Sequence, residues 1–281
     1  MNEMGANRYG KQRVRVVKVT RGPEQHDLRD LTVGIALEGA FADAHVTGSN
    51  ALVVTTDTMK NTAYALASDH LVGAVEDYGV ALARHFLDGP QVDRAVVDIM
   101  EHRWTRVSGA DGPAPDAFQR MGDLTRTASI TATRLGVTVE AGVEDLTLMK
   151  TSRSAFTGFP RDRYTTLREV DDRIMATKVR ATWRYGPGPV DWDVVHAAAL
   201  STLLEVFVDH HSLSLQQSIW LIADEMLRRV PELDEVRMVL PNLHHWAVDL
   251  RPFGMEDRRE LFVATTEPHG QIEATVRRSP G

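Results

Sequence analysis

The chain has 281 residues, of which 43% are hydrophobic and 25% charged, so it can bury a sizeable core. Its formal net charge is −7 and no run of lysine or arginine exceeds two residues, which excludes the basic footprint of a nucleic-acid-binding protein. The absence of cysteine excludes disulfides, zinc–thiolate sites, iron–sulfur clusters and thiol nucleophiles.

Strand and helix patterns alternate along the first half of the chain. Two segments of alternating polar and apolar residues predict strands that a polar hairpin connects. In the second of two helices, apolar residues recur at helical spacing up to a stop at Asp88-Gly89-Pro90. The predicted elements are strands at 13–19, 31–37 and 52–55, helices at 57–67 and 70–87, and, on either side of a Gly/Pro-rich loop, strands at 95–107 and 125–139.

The second half repeats this order without a residue-level repeat. We therefore predict an α+β fold of two tandem units, residues 1–140 and 141–281, each with helices on one face of an antiparallel sheet. The opposite face and the sheet edges remain for association. The predicted elements are strands at 146–150 and 177–185, helices at 194–210 and 215–230, and strands at 235–240 and 246–251.

No apolar run approaches the roughly 18 residues that cross a bilayer. The first eleven residues also lack the apolar core of a signal peptide. We expect a cytoplasmic protein without a membrane partner.

Lysine is rare in this chain, with 5 lysines against 27 arginines. Burial can bring the pKa of a lysine amine into the working range, whereas a guanidinium stays charged. Each lysine is therefore a candidate base, although codon bias alone can produce the same skew.

Two histidine pairs, at 210–211 and 244–245, invite a metal-site interpretation. Adjacent residues point apart on a strand, however, and no His-x-His or His-Glu-x-x-His pattern accompanies them. We predict no metal, with one histidine of each pair buried and hydrogen-bonded. A nucleophile elbow, a P-loop and a dinucleotide glycine fingerprint do not occur in the sequence.

Polar residues cluster beside strand ends in three stretches, at 9–11, 54–62 and 240–245. With these stretches the chain resembles the cofactor-free urate oxidase (uricase) family. The matching motifs are Thr56-Asp57-x-x-Lys60-Asn61-Thr62, the signature formed by residues 146–150, 154–156, 164–167 and Arg173, the Ser-Leu-Gln-Gln run at 214–217, and Pro241-Asn242-x-His244. They follow the family's order over nearly the whole chain.

The resemblance implies a tunnelling fold (T-fold) of two ββααββ units per chain, closed into an oligomeric barrel. It also implies the reaction of urate, O2 and water to 5-hydroxyisourate and H2O2 in purine degradation, without metal or organic cofactor. It further implies a homotetramer in which Lys11 and Thr56 come from one subunit and Phe156, Arg173, Gln216, Asn242 and His244 come from another.

Site roles follow from the resemblance, residue by residue. Taken singly, each residue also has an ordinary structural role, such as helix cap, core ring or solvated surface group. The implied catalytic residues are Lys11, Thr56 and His244, and the implied substrate-binding residues are Thr56, Asp57, Phe156, Arg173, Leu215, Gln216 and Asn242.

These residue types suit a flat purine anion. Phe156 can stack on the ring, Arg173 can present a bidentate fork and Gln216 can pair with a ring edge. Lys11, with the Thr56 hydroxyl, can remove a proton that His244 relays to water. Asn242 and Thr56 would hold oxygen or water.

Two alternatives remain at this point. One is a pterin or GTP hydrolase of the same fold, and the other is a purine-binding protein without turnover. Leu243 stands where the family commonly has lysine, and Met149 and Ser152 also depart from the signature, but none of the three is a matched catalytic position.

Overall fold

The computed structural model describes residues 2–256 and 258–279. Contacts between residues divide the chain into two units. Unit 1 contains residues 1–142 and 191–193, and unit 2 contains residues 143–190 and 194–281. That residues 1–140 and 141–281 are separate domains stays a prediction.

Unit 1 has four antiparallel strands in the order β1-β2-β3-β4. Helix α2 packs on β1, and α3 packs on β3 and β4. The elements are β1 (Tyr9–Arg21), β2 (His26–Gly39), α1 (Ala42–Val46), α2 (Thr56–His70), α3 (Val75–Leu87), β3 (Val92–Gly109) and β4 (Gly112–Thr133). Strand β5 (Gly136–Lys150) begins in unit 1 and ends in unit 2.

Unit 2 contains the antiparallel strands β6, β7 and β10, with α5 packed on β7 and β10. A separate two-stranded sheet pairs β8 with β9. The elements are β6 (Met175–Tyr185), α4 (Trp192–Asp209), α5 (Leu215–Arg229), β7 (Leu233–Leu243), β8 (His245–Ala247), a 3-10 turn (Arg251–Phe253), β9 (Phe262–Ala264) and β10 (Gly270–Arg277). The predicted α+β class, with antiparallel strands and helices on one face, is confirmed.

In unit 1, the apolar residues that recur at strand or helix spacing are the residues buried in the core. Residues 31, 33, 35 and 37 alternate to one face of β2 and are fully buried there. Helix α3 buries its predicted apolar face at Val75, Tyr78, Leu82 and Phe86. A Cβ on Gly79 would lie 2.4 Å from Ile130 Cδ1, so glycine lets α3 approach β4 closely.

Several predicted elements are wrong. Residues 52–55 form a turn and the extended cap of α2 instead of a strand. The predicted helix at 70–87 begins at Val75, because Leu71 caps the end of α2. The pattern at 125–139 belongs to two strands that turn before Gly136, whose φ is 156°. In place of the predicted strand at 246–251, the structure has only the short β8 at residues 245–247. Helix α1 and strands β9 and β10 are not among the predicted elements.

Two lysines hold the ends of helices. Lys18 on β1 donates from Nζ to the carbonyls of Ala67, Ser68 and Leu71 at 3.1, 2.8 and 3.0 Å, which satisfies the end of α2. In unit 2, Lys150 Nζ donates to the carbonyls of residues 208 and 210 at the end of α4, at 3.1 and 2.7 Å. The two units therefore share the same kind of helix cap.

Within the described ranges, no helix is both long and apolar enough to cross a bilayer.

Candidate active site

A cavity of about 310 Å³ lies in unit 2, a size in the range of small-molecule sites. The segment between β5 and β6, the start of α5 and the end of β7 enclose most of it. Its lining consists of Phe156, Leu167, Arg168, Val170, Arg173, Ile174, Leu215, Gln216, Asn242, Leu243, His244, His245, Trp246 and Ile272. The structure thus brings together six residues that the sequence predicted, namely Phe156, Arg173, Leu215, Gln216, Asn242 and His244.

Phe156 and Arg173 are adjacent in this cavity. The backbone of Phe156 pairs with that of Val170 through two hydrogen bonds, of 2.7 and 3.1 Å. The backbone N–H of Arg173 donates to the Ser154 carbonyl at 2.8 Å. Arg173 Cζ lies 5.3 Å from the centre of the Phe156 ring. The guanidinium therefore lies over the Phe156 ring, and both line the same cavity.

The charge of Arg173 has no protein counterion among residues 2–256 and 258–279. Its Nε is buried without a hydrogen-bond partner there. Burial lowers the pKa of the guanidinium, because removal from water disfavours the charged form. A cation held in this way is suited to an anionic ligand that supplies the missing acceptors.

The start of α5 presents free backbone donors to the same cavity. Ser214 caps the helix by accepting the Gln217 N–H at 3.1 Å, and the Gln217 side chain accepts the Leu213 N–H at 2.9 Å. The N–H groups of Leu215 and Gln216 belong to the first turn, where a helix offers no internal acceptor. A helix start of this kind favours negative charge.

The end of β7 supplies the opposite side of the cavity. Asn242 pairs with Thr177 on β6 and with Gly270 on β10, which fixes its backbone between two strands. The His244 ring stacks on Trp246, with ring centres 5.3 Å apart and planes at 30°. Leu243, the departure from the family pattern, lines the same cavity.

Several lining residues were missed in the sequence. Ile272 lies on β10, whose apolar alternation at residues 272, 274 and 276 would have predicted a strand. For Trp246 the sequence predicts a place in a strand but no role in the site. Arg168 lies within the matched signature, but one arginine among 27 gives no signal of its own.

The other predicted residues, Lys11, Thr56 and Asp57, lie in unit 1. Thr55 is the N-cap of α2, and its Oγ1 accepts the Thr58 N–H at 3.0 Å. Thr56 and Asp57 are therefore exposed residues of the first helical turn rather than the cap.

Asp57 joins a local charge cluster. Its carboxylate accepts hydrogen bonds from Lys60 Nζ at 2.5 Å and from Asn61 Nδ2 at 2.9 Å. The hydrogen bond and charge of Lys60 lower the pKa of Asp57, and the charge of Lys11 lowers it further. The same ion pair raises the pKa of Lys60. Lys11 therefore lies within electrostatic reach of the start of α2.

A bulge places Lys11 on the helix-bearing face of β1. Tyr9 and Lys11 pair with Leu37 and Ile35, whose side chains enter the core. The register then shifts before Val14, which is also buried. Between Lys11 and Val14, β1 contains one residue more than the opposite segment of β2. Because of this extra residue the two side chains lie on the same face of the sheet, whereas strict alternation would put them on opposite faces.

Tyr9 ties the start of α2 to β1. Its hydroxyl donates to the Val54 carbonyl at 3.0 Å and accepts the Val54 N–H at 2.8 Å. Burial raises the pKa of Tyr9, so the phenol keeps its proton. Thr56 follows Val54 by two residues, and Lys11 follows Tyr9 by two residues, so this contact helps to determine where both side chains lie.

No three His, Asp or Glu side chains in the described part of the chain are grouped so that they could hold a metal ion.

Comparison with known proteins gives a consistent result. The family model described as Uricase matches residues 7–131 and 139–273. A uricase from Arthrobacter globiformis is 43% identical over 98% of this chain and 90% of its own length. A uricase from Dictyostelium discoideum is 37% identical over 97% of this chain and 96% of its own length. The crystal structure of the Arthrobacter globiformis uricase superposes with a TM-score of 0.95 at 42% identity, covering 100% of this chain and 96% of that one.

Proposed function

Because the chain belongs to the uricase family, and is thus an oxidoreductase that acts on urate and O2, we propose that its unit 2 cavity binds urate. We further propose that Lys11 and Thr56 of a neighbouring copy complete the site. The overall reaction converts urate, O2 and water to 5-hydroxyisourate and H2O2. Membership of this family disfavours the alternative of a pterin or GTP hydrolase and that of a binding protein without turnover.

The observation that carries this proposal is the contact of the half-buried Arg173 with the Phe156 ring in one cavity, where the Nε of Arg173 has no hydrogen-bond partner among the described residues. Urate is planar and is mostly a monoanion at neutral pH. Phe156 stacks on its ring, and the guanidinium donates two parallel hydrogen bonds to acceptors in the ring plane. The ligand then supplies the acceptors that Arg173 lacks among the described residues.

The start of α5 recognises a second edge of the ring. The Gln216 amide both donates and accepts, so it can pair with an N–H and a C=O of the purine. The Leu215 N–H adds a donor at the same edge. Together with Arg173, these groups hold the ring in one orientation before any chemistry takes place.

The chemical step begins with removal of a further proton from urate. In this proposal a neutral Lys11 amine accepts that proton through the Thr56 hydroxyl, and His244 extends the path to water. The resulting dianion is electron-rich enough to reduce O2. Asp57, in the first turn of α2 beside Thr56, would bind substrate there.

The oxidised ring then adds water, because the product carries a new hydroxyl on a ring carbon. O2 and later this water must lie over the ring face. The Asn242 amide and the Thr56 hydroxyl form the polar clamp in this role. The two electrons and two protons that leave urate appear in H2O2, so the reaction balances without a cofactor.

The activity is tested by incubating chelator-treated protein with urate under air, while the loss of urate absorbance and the formation of peroxide are followed together. We expect equal amounts of urate consumed and peroxide formed. A parallel calorimetric titration with urate under anaerobic conditions isolates binding from turnover. Turnover that disappears with the chelator, or binding without turnover, would contradict the cofactor-free reaction.

We propose a homotetramer whose sites lie between subunits, as the family resemblance implies. A Lys11→Met chain and an Arg173→Ala chain are each expected to be inactive alone. When the two are unfolded together and refolded, mixed tetramers should regain part of the wild-type activity. Co-refolded tetramers without activity would indicate sites within single chains.

A cytoplasmic location also belongs to this proposal. Fractionation of cells that express the full chain, with activity measured in each fraction, tests it.

A further inference from the structure

Three parts of the cavity are joined at one short backbone contact in unit 2. Ser154 and Ser212 form an isolated parallel bridge. The Ser212 N–H donates to the Arg153 carbonyl at 2.9 Å, and the Ala155 N–H donates to the Ser212 carbonyl at 2.7 Å. The Ser154 carbonyl in turn accepts the N–H of Arg173 at 2.8 Å. This bridge therefore connects three parts of the backbone: the segment that carries Phe156, the backbone of Arg173, and the residues that lead into α5.

Buried hydroxyls extend the bridge to the first turn of α5. Ser212 and Ser218 are fully buried, and their Oγ atoms are 2.8 Å apart. Each Oγ also lies 3.1 Å from the Ser214 carbonyl at the cap of α5. The other contact of the Ser218 hydroxyl is His210 Nε2, at 2.8 Å. Both hydroxyls thus lie against the carbonyl of the residue that precedes Leu215.

The histidine determines which hydroxyls donate. His210 Nδ1 lies within hydrogen-bond distance of the Val206 carbonyl, so Nδ1 carries a proton. In the neutral ring Nε2 is then an acceptor, and the Ser218 hydroxyl donates to it. The Ser212 hydroxyl can in turn donate to Ser218 Oγ, and the Ser214 carbonyl then accepts the backbone N–H of Ser218, at 3.1 Å, in place of a hydroxyl proton. One ordered chain of hydrogen bonds therefore runs from Ser212 through Ser218 to His210.

We propose that Ser212 and Ser218 are positioning residues of the urate site, which hold the first turn of α5 in register with the segment that carries Phe156 and Arg173. This inference rests on the proposed function, because the groups that it positions are the proposed urate-binding groups. Gln216 and the Leu215 N–H can engage one edge of a rigid ring only if their distance from Arg173 is fixed. Neither serine lines the cavity, so they act through the backbone rather than by contact with urate.

Loss of one hydroxyl is therefore expected to affect urate affinity more than turnover of the bound substrate. In Ser218→Ala, His210 Nε2 and Ser212 lose their partner. The dissociation constant for urate, measured anaerobically by calorimetry, should rise about tenfold, which corresponds to roughly one buried hydrogen bond. Ser212→Ala should give a similar loss. The double variant should lose much less than the product of the two, because both hydroxyls belong to one chain.

Ser218→Cys offers a second variant of nearly the same volume with a weak donor, and it should fall between wild type and alanine. Thr202→Val is a matched control, because it removes a buried hydroxyl that donates to the Ala198 carbonyl within α4. It should lower thermal stability without changing urate affinity. Aerobic kinetics should show a raised KM in Ser218→Ala with kcat within about threefold of wild type.

The results separate the two proposals. Wild-type protein that fails to bind urate under anaerobic conditions contradicts the proposed function itself. Wild-type protein that binds urate, with Ser218→Ala and Ser218→Cys binding equally well at reduced thermal stability, overturns only the positioning role. Equal losses of affinity in Thr202→Val and Ser218→Ala would also overturn it, because any buried hydroxyl would then have the same effect.

Discussion

Replacement of Arg173 by methionine separates binding from stability. The variant keeps an unbranched, flexible stem and removes the charged guanidinium. Two charge-assisted hydrogen bonds to urate, at about 1.5 to 3 kcal/mol each, would be lost, so urate affinity should fall by roughly 10² to 10⁴-fold. The free protein should not be destabilised, because the buried Nε of Arg173 has no partner in the described residues and burial lowers the pKa of its guanidinium. Relief of about 1 kcal/mol is offset by loss of the contact between the guanidinium and the Phe156 ring, at about 0.5 to 1 kcal/mol, so Tm should stay within roughly 2 °C of wild type.

Two measurements test this expectation. Anaerobic calorimetry gives the urate dissociation constant, and thermal unfolding without urate gives Tm. Arg168→Met is the matched control, because Arg168 lines the same cavity but is exposed. The control should keep its affinity within about threefold. Arg173→Lys should retain the charge yet lose the bidentate fork, and fall between the two.

The reasoning would be refuted by either half of the result. Affinity of Arg173→Met within fivefold of wild type would show that the guanidinium does not bind urate. A Tm of Arg173→Met lower by more than about 2 °C would show that the arginine stabilises the folded chain by more than its contact with the Phe156 ring.

Lys11→Met should lower kcat by about 10² to 10⁴-fold with little change in anaerobic urate affinity. The control Lys178→Met, at an exposed lysine, should match wild type in both measurements. Full activity in Lys11→Met would exclude Lys11 as the base. Tyr9→Phe leaves the Val54 N–H and carbonyl without their partner, so kcat should fall while urate affinity is kept, and an unchanged kcat would count against this contact. Burial lowers the pKa of His210, so the folded state binds this proton less readily than the unfolded chain and Tm should fall below about pH 6.5. Thermal unfolding between about pH 7.5 and 5.5 should show a smaller fall in His210→Gln, and an identical fall would contradict this assignment.

The spacing of apolar residues predicted most of the long helices and strands, because this spacing follows directly from which face of each element is buried. The face of α3 at Val75, Tyr78, Leu82 and Phe86 was visible in the sequence and is buried as expected. Local geometry was less visible. A single turn before Gly136 divides what alternation alone presents as one strand, since both strands share the same period.

Sequence motifs identified the cavity better than spacing alone could. Phe156, Arg173 and Asn242 are far apart in the chain, and only their joint match to one family placed them in one site. The bulge in β1 shows what spacing cannot reveal. By strict alternation Lys11 and the buried Val14 would face opposite sides of the sheet. The shift in register between them places both side chains on the same side.

Strand β1 is attached to α2 near both ends of the helix. Tyr9 bonds the segment that leads into α2, and Lys18 bonds the carbonyls where it finishes. An edge strand would otherwise be free to slip or peel away, but here sliding by even one residue would break both attachments at once. Lys11 lies between these two anchor points, so its backbone should keep a constant separation from that of Thr56. Amide exchange in β1 should accordingly be as slow as in the inner strand β2.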